Sequence, residues 1–323
     1  MLVASVCVTA IYAGSVSGAT AQTPPSRVPQ QIVGAFDNLF AGPHEGRRAV
    51  HGNGIMLEGS FVPGPNAARL SRAVHLNGGP VPVLVRFSDF AAVPSLSNGA
   101  PEASPRGMAV RFMLPDGGDT DLVLHSYNGF PAATPDDFLA FLRSLPNSAV
   151  RDAFAARHPA ARRFLDAPKP TPVSYATEAY FGVNAFRFTN AEGQSRYARY
   201  RVIPHAGQAY LSPSETEARA PDFLITELAG RLAHGRIRFT LVAQLAVEGD
   251  DVADGSVAWP SDRPTIELGT ISLRAFAQEG DAAQRALRFV PTNLVGGIAP
   301  GPDPMLAART QAYRVSADRR GAE

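Results

Sequence analysis

Residues 302–313 read PDPMLAARTQAY, a stretch that predicts a helix with a well-defined start. Asp303 has a typical N-cap side chain, and Pro304 follows at the first helical position, where the missing N–H is not needed. The predicted helix carries Arg309 and Tyr313 four residues apart. That spacing places both side chains on one helix face, so the guanidinium can reach the phenolic oxygen one turn away.

The pairing of Arg309 with Tyr313 has two interpretations. An arginine beside a tyrosine is most often a surface stack or a donor to a buried hydroxyl. The alternative is a tyrosinate bound to ferric iron. A tyrosine phenol has a reference pKa near 10, so it binds iron at neutral pH only where the metal and a fixed cation stabilise the anion. Arginine suits this task because it keeps its own proton.

Short apolar or alternating runs bounded by Gly, Pro, Asn and Asp precede this helix and are typical of strands. Strands are predicted at residues 54–62, 81–87, 107–114, 121–125, 177–189, 196–202, 236–247 and 265–276. Further helices are predicted at residues 32–40, 134–145, 149–165 and 222–232. This order of elements favours a closed antiparallel barrel with inserted helices.

A second group of candidate residues lies before and after the first two strands. His51 has Arg48 three residues before it, and Arg86-Phe87-Ser88 ends the second strand. A lone histidine is more often structural than catalytic, and that interpretation stays open for His51. The residue types near His51 suit a catalytic base, because a serine hydroxyl can orient an imidazole and an arginine can bind an anionic cofactor group. The chain has no HExxH, Walker or GxSxG pattern that would compete.

The composition argues against several classes of partner. Lys and Arg total 30 against 29 Asp and Glu, and the net charge of +1 offers no field for nucleic acid or an anionic membrane. Residues 1–21 resemble a signal peptide that ends in Ala19-Thr20-Ala21, with a linker and arm over residues 22–46. The single cysteine, Cys7, lies in that signal, so the mature chain would have no thiolate nucleophile or ligand.

We expect export to the periplasm with cleavage after Ala21, and no stable membrane association afterwards. N-terminal sequencing of the protein from a native periplasmic fraction should therefore begin at Gln22. An intact Met1 on a cytoplasmic protein would contradict export.

At this point the sequence resembles the catalase family across residues 47–319. The matching blocks occur in the family's order: RAVHGNG at 48–54, EGSF at 58–61, VRFS at 85–88, PRGMAVRF at 105–112, DLV at 121–123, and FVPTNL at 289–294 continuing to Tyr313. The resemblance implies an α+β fold over residues 47–323. It would be a catalase-like antiparallel β-barrel of about eight strands, with inserted helices and a C-terminal proximal haem helix.

The resemblance also implies haem b, with iron, as cofactor. Tyr313 would be the axial iron ligand and Arg309 its partner, while Arg48 and Arg86 would bind the haem propionates.

On the distal side, the resemblance assigns His51 as the base that takes a proton from peroxide and returns it to the leaving oxygen. Ser88 would hold the tautomer of that histidine. Phe138 would stack on the distal haem face, although its helical spacing fits a core position equally well.

Several residues depart from the family's pattern. Counting without gaps places His125 where catalases keep a distal asparagine, and a one-residue shift would place Ser126 there. Asn184 stands where catalases have a histidine that hydrogen-bonds the proximal arginine. Ser104 replaces the main-channel aspartate, and Phe90 replaces the channel valine.

The substitution at His125 leads to an expectation about chemistry. An imidazole is bulkier than an amide and becomes charged below a pKa near 6.5, so we expect weaker orientation of a second peroxide and more pH-sensitive activity.

The chain also lacks the long C-terminal extensions of large catalases and resembles the shorter catalase-related peroxidases of bacteria. The function implied is a haem peroxidase for hydrogen peroxide or organic hydroperoxides, with an organic electron donor, weak catalase activity and a role in antioxidant defence. Two alternatives stay open: a fatty-acid hydroperoxide isomerase or dehydratase of the allene oxide synthase type, and a haem-binding protein without turnover.

Overall fold

The computed structural model describes residues 27–278 and 281–321. The predicted signal peptide, its cleavage site and the first linker residues lie outside the described residues. The strands are β1 (Gly54–Pro63), β2 (Val81–Ser88), β3 (Gly107–Met113), β4 (Asp119–His125), β5 (Tyr180–Phe181), β6 (Phe186–Thr189), β7 (Ser195–Pro204), β8 (Ile237–Leu245), β9 (Thr265–Phe276) and β10 (Ile298–Pro300). The helices are α1 (Val28–Leu39), α2 (Ala67–Leu70), α3 (Val74–Asn77), α4 (Pro135–Ser144), α5 (Ser148–Arg157), α6 (Pro159–Asp166), α7 (Pro213–Glu217), α8 (Phe223–His234), α9 (Asp281–Ala286) and α10 (Pro304–Arg319).

The sheet closes on itself. Its strand order is β10-β6-β7-β5-β4-β3-β2-β1-β9-β8, and an additional pairing of β8 with β7 closes the ring of strands. Eight strands, from β7 through β5 and β1 to β8, therefore form an antiparallel barrel, while β6 and β10 extend from β7. The predicted α+β fold with a closed barrel of about eight strands is confirmed.

The barrel interior is a packed core. Phe61, Phe87, Tyr180 and Phe239 are fully buried inside it, so no open channel runs through the strands. Side chains alternate across the sheet, and Val85 and Phe87 of β2 belong to this core. Arg86 and Ser88, which point to the other face, line a cavity outside the barrel. The functional site is therefore on the outer face of β2.

Two of the predicted elements are wrong as continuous segments. The strand predicted over residues 177–189 is interrupted, because residues 175–177 form a 3₁₀ turn. In that turn the side chains of Ser174 and Thr177 bond to backbone groups and compete with strand pairing. The helix predicted over residues 149–165 divides at His158, since Pro159 has no N–H to continue the hydrogen-bond pattern.

Three helices cover the outer face that carries the cavity. The N-terminal α1 packs against α10 and α4, and Arg319 at the end of α10 makes an ion pair with the buried Asp37 of α1. The N-caps of the latter two helices are as predicted: Thr134 accepts from the Asp137 N–H, and Asp303 accepts from the Met305 N–H. Within the described ranges, no helix has the length and apolar character needed to cross a membrane.

Candidate active site

A cavity of about 220 Å³ lies between the outer face of β2 to β4 and the helices α1, α4 and α10. Its walls are largely apolar. All eight residues that the sequence assigned to the site line this one cavity, although they are spread over most of the chain: Arg48, His51, Arg86, Ser88, His125, Phe138, Arg309 and Tyr313.

Strand register explains how three of the distal positions come together. Ser88 of β2 lies directly opposite Gly107 of β3, and Gly107 lies opposite His125 of β4. Residues directly opposite in antiparallel strands point to the same face, so this row presents a hydroxyl, a gap and an imidazole to the cavity. A Cβ on Gly107 would lie 2.6 Å from Ser88 Oγ and 2.7 Å from His51 Nδ1. The missing side chain makes room for the imidazole of His51.

His51 is held tightly in this gap. Its Nδ1 is 3.2 Å from Ser88 Oγ, its backbone N–H donates to the Phe90 carbonyl at 2.7 Å, and the Phe90 ring packs edge-on to the imidazole. The backbone φ of +55° is a left-handed conformation that is uncommon for a residue other than glycine, and the His51 side chain lines the cavity. Burial, together with the charge of Arg86, lowers the pKa of His51 to about 3. The imidazole is therefore neutral, and one of its ring nitrogens keeps a free lone pair.

The structure places His125, and not Ser126, in the cavity. Ser126 Oγ instead accepts from the Arg106 backbone N–H at 2.9 Å. His125 Nδ1 accepts from the Tyr127 backbone N–H at 3.3 Å, so the proton of the neutral ring is on Nε2. That Nε2 is buried and has no partner among the described residues. His125 therefore offers an unused N–H donor.

Burial of His125 argues against the pH sensitivity that its reference pKa led us to expect. Burial, with the charge of Arg309 adding to it, lowers the pKa of His125 to about 3. The imidazole therefore stays neutral at mildly acidic pH and keeps the same donor atom.

The α10 helix brings Tyr313 into a continuous chain of hydrogen bonds. Arg309 Nη2 donates to Tyr313 Oη at 3.0 Å, and Arg309 Nη1 donates to Asn184 Oδ1. Asn184 Nδ2 in turn donates to Asp303 Oδ2 at 2.6 Å. Asn184 thus contacts Arg309 in the position expected from the sequence. Because a carboxylate can only accept, Asp303 sets the orientation of the amide, and the amide oxygen then holds Arg309 beside the phenol.

Another part of the cavity wall contains four arginines: Arg48, Arg86, Arg288 and Arg320. Arg48 donates to the carbonyls of Gln284 and Leu287, Arg320 to those of Arg285 and Leu287, and Arg86 to that of Gly52. Burial lowers the pKa of Arg86 and of Arg320 to about 10, which leaves both charged at neutral pH. No carboxylate of residues 27–278 and 281–321 makes an ion pair with Arg48, Arg86 or Arg320. A buried arginine, Arg86, with two half-buried ones beside it and no carboxylate of the described residues in an ion pair with them, favours an anionic ligand.

The sequence prediction missed Arg320. A signal for it existed, because Arg320 follows Tyr313 by seven residues, which is two helical turns and the same face. The sequence predicted that Phe90 and Ser104 replace two channel residues of catalases. Phe90 lines the cavity, whereas Ser104 is not among its lining residues.

These residues fit a haem. Tyr313 supplies an oxygen ligand with a cation beside it, and the unpaired arginines suit two carboxylates. The apolar walls suit a porphyrin, and they include Phe138, whose ring lies 4.6 Å from that of Phe130. Phe138 belongs to both the helical core and the cavity wall, so its stacking role stays a prediction.

The sequence is similar to those of known catalases and catalase-related peroxidases. The family model described as "Catalase" matches residues 44–322. The chain is 35% identical over 295 residues to a catalase-related peroxidase of Mycolicibacterium paratuberculosis, covering 89% of this chain and 93% of that one. It is 31% identical over 308 residues to a catalase-related peroxidase of Synechococcus elongatus, covering 90% and 88%.

Among solved structures, catalase A from Saccharomyces cerevisiae is similar with a TM-score of 0.76 at 21% identity, covering 88% of this chain and 63% of that one. A fungal catalase is similar with a TM-score of 0.77 at 21% identity, covering 96% and 66%. At this level of identity the structures show the fold alone. The chain spans less than two thirds of each.

Proposed function

This chain belongs to the catalase family of oxidoreductases that act on peroxide, and from that premise we propose a haem b peroxidase that reduces hydrogen peroxide or organic hydroperoxides with an organic electron donor. The observation that carries the proposal is that one cavity joins the His51–Ser88 pair, the Arg309–Tyr313 pair and the three arginines Arg48, Arg86 and Arg320. The iron of a bound haem would bind peroxide and take up its oxidising equivalents.

The distal residues handle the proton. The neutral imidazole of His51 accepts the peroxide proton at Nε2, because Nδ1 faces Ser88 Oγ. The same nitrogen then returns the proton to the leaving oxygen, which departs as water or an alcohol. The His125 Nε2–H is available to bind a peroxide oxygen and orient it toward His51.

The proximal residues hold charge. The Arg309 guanidinium donates to the Tyr313 oxygen and is itself held by Asn184 and Asp303, so it would stabilise a phenolate bound to iron there. Arg48, Arg86 and Arg320 would hold the propionates. Proton transfer would thus be the task of the residues around His51, and charge donation that of the residues around Tyr313.

The balance between catalase and peroxidase activity depends on His125, which offers the hydrogen-bond donor beside His51. Disproportionation needs two peroxides oriented in succession, whereas peroxidase turnover needs only one and then an electron donor. A bulky imidazole at His125 and the ring of Phe90 restrict the space beside His51, which favours the peroxidase cycle. We propose that the protein serves antioxidant defence after export to the periplasm.

Three assays on the haem-loaded protein test this function. Oxidation of an aromatic donor should outpace oxygen evolution from hydrogen peroxide alone. Fast conversion of a lipid hydroperoxide without any donor would favour an isomerase or dehydratase instead. Absence of turnover in all three assays would identify a haem-binding protein.

The His125→Asn variant should raise the ratio of catalase to peroxidase turnover. The amide keeps an N–H donor but occupies less space, so a second peroxide can be oriented beside His51. The ratio is measured as oxygen evolution against donor oxidation. Ser126→Ala is the matched control, because Ser126 Oγ bonds to the Arg106 backbone outside the cavity. Equal ratios in wild type and His125→Asn would show that His125 does not decide between the activities.

A further inference from the structure

The side chain of Tyr127 lies between the cavity and the protein surface. Its ring packs edge-on against Phe164, with the centroids 5.1 Å apart, and Phe164 lines the cavity. Tyr127 is half-buried, so part of the phenol is open to solvent. The backbone N–H of the same residue holds His125 Nδ1. Tyr127 therefore contacts solvent on one side and, through Phe164, the wall of the cavity on the other.

Two cations stand beside this tyrosine. Lys169 Nζ lies 5.5 Å from the Tyr127 ring centroid and 4.4 Å from that of Phe164. Its position is set by bonds to the carbonyls of Phe164 and Ala167. The exposed Arg163 adds a second positive charge close enough to act on the phenol. The surface at Tyr127 is therefore suited to attract an anion.

Other tyrosines lack this combination of features. Tyr175 and Tyr180 are fully buried, and their hydroxyls donate to Asp89 and to the Tyr175 carbonyl. Tyr127 Oη, in contrast, has no hydrogen-bond partner among the described side chains. Burial raises the pKa of Tyr127, so the phenol is protonated at neutral pH and its oxidation must release a proton. Water at the exposed edge can take that proton.

We infer that Tyr127 is a surface oxidation site for anionic aromatic donors and relays their electrons to the cavity. The inference rests on the proposed peroxidase function, which supplies the oxidant. The phenol of Tyr127 gives one electron through the contact with Phe164 to the oxidised cofactor and one proton to water. A donor at the surface then returns one electron, with a proton from water, and becomes a radical. Two such turns consume one hydroperoxide, two donor molecules and two protons, which come from water or from the oxidised donors, and yield one alcohol, one water and two donor radicals.

The relay predicts that a donor can be oxidised without entering the cavity. The Tyr127→Phe variant keeps the ring packing and the backbone N–H that holds His125, and removes only the hydroxyl. Its kcat/KM for the dianionic dye ABTS should fall by roughly tenfold or more, while that for guaiacol, a small neutral phenol, stays the same. Lys169→Gln should raise KM for ABTS and leave guaiacol unaffected, because it removes the attracting charge while keeping an N–H donor for the carbonyls of Phe164 and Ala167.

A measurement of the radical itself completes the test. Wild-type holoprotein mixed with peroxide and a nitroso spin trap, without donor, should give an adduct that mass spectrometry locates at Tyr127. The adduct should be lost in Tyr127→Phe and kept in Tyr210→Phe, where the exposed tyrosine lies outside the cavity lining. Unchanged ABTS turnover in Tyr127→Phe, an equal loss with both donors, or no adduct at Tyr127 in an active wild type would overturn the relay alone. A wild type that binds haem but oxidises neither donor would overturn the proposed function and the relay with it.

Discussion

The His51→Asn variant is expected to react with peroxide slower than wild type by a factor on the order of 10²–10⁴, which is the usual contribution of a positioned base. Asparagine is the appropriate replacement because His51 has a φ of +55°, and asparagine tolerates this left-handed conformation better than alanine. The side chain then changes while the backbone of residues 50–52 keeps its path. The rate is measured by rapid mixing of the haem-loaded protein with peroxide, from the optical change of the haem.

His205→Asn is the matched control for His51→Asn. It makes the same substitution at an exposed histidine whose ring bonds to Thr240 on the barrel surface. That variant should react at the wild-type rate. If His51→Asn retains its haem and still reacts at the wild-type rate, His51 is not the base.

The Tyr313→Phe variant is expected to lose most of its haem when purified with added haem. The substitution removes the only oxygen that the α10 helix offers next to the Arg309 guanidinium, while the ring and the helix remain. Haem content is measured from the ratio of haem absorbance to protein concentration, and the optical spectrum shows whether a tyrosinate-type ligand is present. Full occupancy with an unchanged spectrum would show that another residue binds the iron.

A second variant, Arg309→Leu, distinguishes loss of the iron ligand from loss of the guanidinium that stabilises it. Arg309→Leu leaves the phenol in place but removes the cation beside it, so haem affinity should fall by roughly 10–100-fold, as for other groups that support a metal ligand. Thermal unfolding of both variants without haem provides the structural control. Removing the Tyr313 hydroxyl leaves one arginine N–H without its acceptor, a cost of about 1–3 kcal/mol that a domain of this size tolerates.

The local patterns of the sequence predicted the elements that carry the site. The start of α10 at Pro304 and the start of α4 after Thr134 follow from short-range side-chain chemistry, which acts within one helical turn. The spacing of Arg309 and Tyr313 follows from helix geometry in the same way. Prediction was wrong where side chains competed with the expected backbone pairing, as at Ser174 and Thr177.

The tertiary structure decided how distant segments meet. His51 and Ser88 lie 37 residues apart, and only the registers of β2 with β3 and of β3 with β4 place Ser88, Gly107 and His125 in one row. A register shift of one residue would turn these side chains to the other face, so the choice between His125 and Ser126 could not be made before the pairing was known.

The family, most of the helices and strands and the set of residues that could carry the chemistry follow from periodicity, capping and motif order, which can be read without knowledge of the fold. Folding was needed to bring Arg48, Arg86 and Arg320 to one cavity, where no carboxylate of residues 27–278 and 281–321 makes an ion pair with them, and to set Asp303 against Asn184 and Arg309. Only the tertiary structure placed Tyr127 between the cavity and the surface. These features depend on burial and on contacts between residues far apart in the chain, which no local pattern records.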